Sequence, residues 1–326
     1  MQEDLFINQR HRKAINDELD DREKEHQKIV AQHEALFEAT RTLTGKAAIK
    51  PKYLLAIGDS WYDYPIQGNS LVFIPSDILA QLKQICDPAP IILSSAHRGD
   101  ASTIEMSLPK QEKIIQFLTH KQNWPNGKPD AIIVSAGGND VAGNSFCIFL
   151  DFNDGRHTGL NQARYAGVLN LVRACYLDLF AVRDRYASGV PIYAHCYDFP
   201  TPSGIGAPCG IGPWLWPSLQ FCNWSKSTGK QIAHDALAKF KDMLDDLASV
   251  PANNFHVVPT QGTLNDQHWA NELHPDPTGF RMIARKVADS LGIDHDQGSA
   301  LAAKATIPQS PAGPTASVKT AKASGK

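Results

Sequence analysis

Apolar residues gather into five short runs, at 53–57, 90–94, 131–135, 191–195 and 255–258, each rich in Ile, Val, Leu or aromatic side chains. Runs this short, bounded by turn-forming residues, suit strands buried on both faces. Helical patterns lie between and after them, at 76–86, 109–119, 161–186, 230–248 and 278–291. In the first, Ser76-Asp77 offers an N-cap signal, and Ile78, Leu79, Leu82 and Ile85 share one face. In the last, Gly292 stands where a C-capping glycine belongs. Strands alternating with helices predict an α/β fold, a five-stranded parallel sheet covered on both faces.

Three regions depart from this alternation. Residues 9–44 read as a helix whose 17–28 portion is almost wholly polar and charged. Ile15, Ile29, Leu36 and Leu43 keep a seven-residue spacing, but Arg22 and His26 interrupt the seam of a coiled coil. The expectation is a solvated helix that docks its last turns, around Leu36 and Leu43, on the main domain. The alternative is a helix that recruits a protein partner or a second copy. Residues 144–159 read as a mixed loop. Residues 199–225 are rich in Gly and Pro yet hold Trp214, Trp216, Phe221 and Trp224, which argues against disorder. The expected organisation is an N-terminal charged helical extension (1–50), a main domain (51–294) with an aromatic insertion near 199–225, and a flexible tail (295–326).

Composition narrows the class. The 326 residues are 42% hydrophobic and 20% charged, enough to bury a full core. A net charge of -2 supplies no field that would favour nucleic acid. No apolar run is expected to be long enough to cross a bilayer, and the polar first dozen residues lack the apolar core of a secretory signal, so residence in the cytoplasm is expected, export by another route staying open. The six cysteines lack the paired close spacings of a zinc site. Cys209 and Cys222 flank the Trp pair and could bridge if the protein is exported.

Candidate chemistry collects at the carboxyl ends of the strands, where open parallel sheets bind ligands. Gly58-Asp59-Ser60-Trp61 follows the first strand, and Gly58 permits a sharp turn. Ser94-Ser95-Ala96-His97-Arg98-Gly99-Asp100 follows the second, and Ser135-Ala136-Gly137-Gly138-Asn139-Asp140 the third. Trp269-Ala270-Asn271-Glu272-Leu273-His274-Pro275 precedes the final helix. Acyl transfer needs such parts. A Ser hydroxyl requires a neighbouring base, and His titrates near neutrality. The tetrahedral intermediate requires donors such as a glycine N–H or an Asn amide.

These stretches, in this order, resemble the blocks of the SGNH hydrolases, also called the GDSL esterase/lipase family. Gly58-Asp59-Ser60-Trp61 is similar to the first block, with Trp where Leu is common. Gly99 matches the second, Gly137-Gly138-Asn139-Asp140 the third, and His274-Pro275 with Thr278-Gly279-Phe280 the fifth. The resemblance spans about 52–291. It implies a flavodoxin-like three-layer α/β/α sandwich and an ester hydrolase without a cofactor or metal. Its substrate would be a small ester, a lipid or an acylated sugar. The resemblance makes Ser60 the nucleophile and His274 the base. The Ser60 N–H, the Gly99 N–H and the Asn139 amide form its oxyanion hole. The family's Asp three residues before the His is Asn271 here, which leaves the third member of the triad open. Asn271 is the expected orienting group, with Glu272 close behind; Asp266 or a backbone carbonyl are further candidates.

Asp59 is expected to order its turn and Asp140 to brace the loop after Asn139. Trp61, His97, Trp214 and Trp216 are candidate substrate contacts, the last two as wall or lid. Two rival readings stand beside the hydrolase. One is a metal-dependent phosphoesterase using the Asp, Asn and His residues at the strand ends. The other is a non-catalytic binding protein on the same fold.

Overall fold

The five strands form as β1 (Tyr53–Gly58), β2 (Ile91–Ser94), β3 (Ala131–Ser135), β4 (Ile192–His195) and β5 (Phe255–Val258). They make one parallel sheet in the order β2-β1-β3-β4-β5. This is the flavodoxin-like order, whose switch point lies between β1 and β3. The computed structural model describes residues 2–44, 49–67 and 76–296. The expected tail falls almost wholly outside them.

The helices, in chain order, are α1 (Gln2–Thr44), α2 (Ile78–Ile85), α3 (Ser102–Glu105), α4 (Leu108–Thr119), α5 (Gly138–Val141), α6 (Gln162–Tyr186), α7 (Trp216–Phe221), α8 (Lys226–Ala248) and α9 (Pro277–Leu291). The apolar stripe expected on α2 is buried at Ile78, Leu79, Leu82 and Ile85, and Asp77 caps it by accepting the Ala80 N–H. α8 begins four residues before the expected start, because Ser225 accepts the Thr228 N–H as an N-cap. The aromatic insertion contains α7, a turn of helix that the Gly and Pro content obscures. By length and composition α6 could cross a bilayer, contrary to the expectation from the apolar runs. Here it packs against α8, with Tyr165, Val172, Tyr176, Leu179 and Phe180 buried.

The N-terminal extension docks differently from the expectation. Leu36 and Leu43 are 65% and 85% exposed. The middle of α1 makes the contact instead, packing along the edge strand β2 with Leu19, Glu23, His26 and Val30 buried. Glu23 accepts from Asn123 at 2.7 Å and Gln116 at 2.6 Å, and lies 2.9 Å from the His120 ring. Arg22 Nη1 donates to the Ala96 carbonyl at 2.8 Å. The residues that break a coiled-coil seam therefore bond elsewhere, Arg22 to the loop after β2 and His26 to the Asn123 carbonyl in the turn after α4, 2.9 Å away. An edge strand covered by a helix is also protected from pairing with other chains.

The rim of the sheet is stitched beyond its ladders. Asp59 N donates to Ser135 O at 2.9 Å, His97 N to Gly58 O at 2.8 Å and Ser95 N to Ala56 O at 2.9 Å. β1 and β3 approach so closely that a Cβ on Gly58 would stand 2.7 Å from Ser135 O. Glycine is required there for contact rather than for turning. These bonds draw the loops after β1, β2 and β3 together at one end.

Candidate active site

Ser60 lies just past β1. Its Oγ stands 2.8 Å from Nε2 of His274, a residue 214 positions away in sequence. His274 is held in the turn before α9. Ala270 N donates to the His274 carbonyl at 3.0 Å, and Asp276 caps α9 by accepting the Gly279 N–H at 2.6 Å. Trp61 donates its indole N–H to Leu273 O at 3.0 Å, which ties this turn to the Ser60 loop.

Asn271 Oδ1 lies 3.0 Å from His274 Nδ1. The same oxygen accepts the backbone N–H of Leu273 at 3.1 Å and of His274 at 3.0 Å, while Nδ2 donates to the Tyr64 hydroxyl at 3.0 Å. Two backbone donors mark that atom as the oxygen. The ring nitrogen facing it must then carry its proton, which leaves Nε2 as a lone pair directed at Ser60. Tyr64 stacks on the imidazole, 4.2 Å between centroids and 15° between planes, and Trp214 meets it edge-on at 5.3 Å. Burial among these rings lowers the His274 pKa to about 3, so the ring is neutral at neutral pH.

Glu272 does not touch the ring, contrary to its candidacy as a triad member. Its carboxylate accepts four backbone N–H groups of the aromatic insertion: Gly204 at 2.8 Å, Trp214 at 2.6 Å, Leu215 at 2.7 Å and Trp216 at 3.1 Å. It is fully buried, and these bonds consume its acceptor capacity. Asp266 is also turned away, bonded to Thr201 and Lys230 in an exposed turn.

Gly99 has φ +85°, a left-handed conformation that favours glycine. Among the described residues the N–H groups of Ser60 and Gly99 have no acceptor. Asn139 follows β3 and donates one amide hydrogen to Asp100 O at 2.9 Å, which leaves a second hydrogen to offer. Ser60, Gly99, Asn139 and His274 all line one cleft of about 510 Å³. Asp140 accepts the Ser102 N–H at 2.7 Å and so braces the start of α3. Asp59 orders its turn through the Trp61 N–H at 3.0 Å. It also accepts from Ser135 Oγ at 2.6 Å and Tyr197 OH at 2.5 Å. Burial raises its carboxyl to about 6 against the pull of these bonds.

Of the aromatic and His candidates for substrate contact, only Trp214 lines this cleft. His97 instead faces Asp100, 3.4 Å away. Trp216 packs beneath Lys226, whose Nζ stands 5.1 Å from its ring. Trp61 is buried, stacked on His195 at 5.1 Å, and lines a second, narrower pocket of about 50 Å³ that Ser60 and Asn139 also reach. Cys222 is a buried thiol, and the Cys209 side chain lies outside the described residues. Sequence reasoning missed Tyr64, Tyr197 and the Arg22–Asp63–Arg98 chain. Arg22 Nη2 meets Asp63 at 3.1 Å, and Asp63 accepts the Arg98 N–H at 3.2 Å beside Gly99. No motif marks these residues; only the fold brings them near the cleft. Among the described residues no group of three or more His, Cys, Asp or Glu is placed to hold a metal ion.

No family model and no curated protein sequence matches the chain. Solved structures resemble it at low identity. A lipase from a goat rumen metagenome is 15% identical, covering 74% of this chain and 97% of its own, with a TM-score of 0.46. An extracellular lipase from Streptomyces rimosus is 14% identical, covering 74% and 99%, with a TM-score of 0.47. A lipase/acylhydrolase from Enterococcus faecalis is 11% identical, covering 76% and 99%, with a TM-score of 0.37. In strand order and in the placement of its four blocks this chain resembles the SGNH hydrolases. What Ser60 and its neighbours can do follows from their own geometry.

Proposed function

We propose that the protein is a serine hydrolase that cleaves carboxylic esters through an acyl-enzyme intermediate. The observation that carries this is the line Ser60 Oγ, His274 Nε2, His274 Nδ1, Asn271 Oδ1, at 2.8 Å and 3.0 Å, with the tautomer fixed by backbone donors. Ser60 Oγ attacks the ester carbonyl carbon as its proton passes to His274 Nε2. The carbonyl electron pair moves to oxygen, where the N–H groups of Ser60 and Gly99 and the free amide hydrogen of Asn139 receive it. One such donor is worth roughly a hundred- to a thousand-fold in rate. Collapse breaks the bond to the alcohol oxygen, which leaves with the proton from Nε2. Water, deprotonated by the same nitrogen, then releases the acid and frees Ser60.

Asn271 orients the ring but brings no full charge to the imidazolium, so the centre works as a Ser–His pair with a neutral orienting amide. Hydrolysis of p-nitrophenyl esters by the wild type and by Ser60→Ala tests the reading, with fluorophosphonate labelling mapped by mass spectrometry. Turnover lost in Ser60→Ala, and label on Ser60, is the expected result. Equal rates overturn it. Activity abolished by EDTA with Ser60 unlabelled would favour a metal-dependent phosphoesterase. Neither turnover nor labelling would favour a binding protein.

A further inference from the structure

Ser60 stands between two spaces of different size. The cleft of about 510 Å³ reaches His274 and Gly99 and is walled by Tyr64, Ile66, Ile211 and Trp214. The pocket of about 50 Å³ reaches Ser60 and Asn139 but not His274, and is walled by Val141, Ala142, Phe146, Leu215 and Leu237. The two halves of an ester cannot share these spaces arbitrarily. The alcohol oxygen must take its proton from His274 Nε2, and the water that follows must lose one to it. Both therefore occupy the side that His274 lines, the wide cleft. The acyl chain points the other way, into the narrow pocket.

Accepting the serine-hydrolase reading, we infer that this enzyme is specific for short acyl groups carried on a bulky apolar alcohol. At about 50 Å³ against about 510 Å³, the pocket has roughly a tenth of the room of the cleft, so the acyl chain it takes is a short one. Mostly apolar walls suit a methyl-terminated chain. The cleft accommodates a group many times larger, against a wall of Pro65, Ile66, Pro208, Ile211 and Trp214. Trp214 and Leu215 sit on opposite sides of this division, Trp214 facing the cleft and Leu215 the pocket, and Glu272 anchors both N–H groups. One clamp thus sets the spacing between the two compartments.

The test is kcat/KM for 1-naphthyl esters of acetate, butyrate, octanoate and dodecanoate, with ethyl acetate as the small-alcohol comparison. The expected result is a fall of at least roughly tenfold from butyrate to octanoate, and a lower KM for naphthyl than for ethyl acetate. Leu237→Ala deepens the pocket and should raise the octanoate-to-acetate ratio roughly tenfold. Ala142→Leu fills it and should lower the butyrate-to-acetate ratio by a similar factor. Circular dichroism checks that each variant folds; should either fail, the wild-type profile still decides. A profile flat from acetate to dodecanoate, or an optimum at octanoate or beyond, overturns the pocket assignment while Ser60 chemistry stands. No turnover of any ester, with Ser60 unlabelled by a fluorophosphonate, overturns both.

Discussion

Asn271 Oδ1 and His274 Nδ1 lie 3.0 Å apart, and the oxygen is identified by two backbone N–H groups that it also accepts. An amide in this position orients the imidazole without lending it a charge. Asn271→Ala should therefore lower kcat by about ten- to a hundredfold, whereas His274→Ala should remove turnover to the level of Ser60→Ala. Asn271→Asp supplies a carboxylate and should move the acid limb of kcat/KM to higher pH. If Asn271→Ala matches wild type, the ring is oriented by its stacking on Tyr64 and not by the amide.

The pH dependence follows from burial. In the proposed mechanism His274 must be neutral to accept the Ser60 proton, and its pKa is lowered from 6.5 to about 3. Activity should then persist as pH falls below 6.5, and the acid-limb midpoint of kcat/KM should lie between these values. A midpoint at or above pH 6.5 contradicts the burial described.

His195 tests the same physics away from the reacting atoms. It is buried, and its pKa also falls from 6.5 to about 3. The unfolded chain takes up a proton at this residue below pH 6.5, while the native state does not until about pH 3, so its contribution to stability declines on acidification through that window. Asp59, raised from 3.8 to about 6, acts in the opposite sense between those values, because the native state binds its proton first. The stability gap between wild type and His195→Phe, from urea unfolding, isolates the histidine. It should narrow as pH falls from 6.5 toward 4. A gap constant with pH would mean that His195 is hydrated in solution.

Glu272→Ala leaves four N–H groups without their acceptor, that of Leu215 buried and the other three part-buried. The cost should be at least about 3 kcal/mol in urea unfolding. Faster hydrogen exchange should appear at Trp214, Leu215 and Trp216. Glu272→Gln keeps one oxygen and turns an NH2 toward two donors, so it should fall between. Stability unchanged in Glu272→Ala would show that the insertion is held by other contacts.

Arg22 reaches from α1 to the loop that carries Gly99. It donates to Ala96 O at 2.8 Å and pairs with Asp63, which accepts the Arg98 N–H at 3.2 Å. Arg22→Ala should lower kcat by roughly tenfold with a smaller change in KM, because the Gly99 N–H loses its fixed direction. Arg22→Lys should restore part of the loss. Lys13→Ala, an exposed change on the same helix, should do nothing. Equal kcat in Arg22→Ala would make α1 a cover for the sheet edge and no more.

The sheet was readable because its strands are short apolar runs separated by helices, and three of the four polar blocks begin where β1, β2 and β3 end. The Asn271–His274 pair was readable only through the resemblance, whose pattern sets an Asp three residues before the His. Glu272 was not. Its neighbours in sequence suggest a catalytic partner, and only the path of the aromatic insertion shows the four N–H groups that claim it. α1 misled for a related reason. Its apolar residues at Leu36 and Leu43 suggest the contact, yet Arg22, Glu23 and His26 take part in it, because the loop after β2, α4 and the turn after α4 offer carbonyls and polar side chains beside the apolar surface. Trp214 and Trp216 differ by two positions, and only the fold decides that one meets the cleft and the other packs beneath Lys226.

The backbone bonds from Asp59 to Ser135 and from His97 to Gly58 root the loops of Ser60 and Gly99 in adjacent strands. Under the proposed mechanism, the donors that meet the developing negative charge are held in direction by the fold itself. Little dipole rearrangement would then remain for the moment of bond breaking, and the sheet would maintain that arrangement between turnovers.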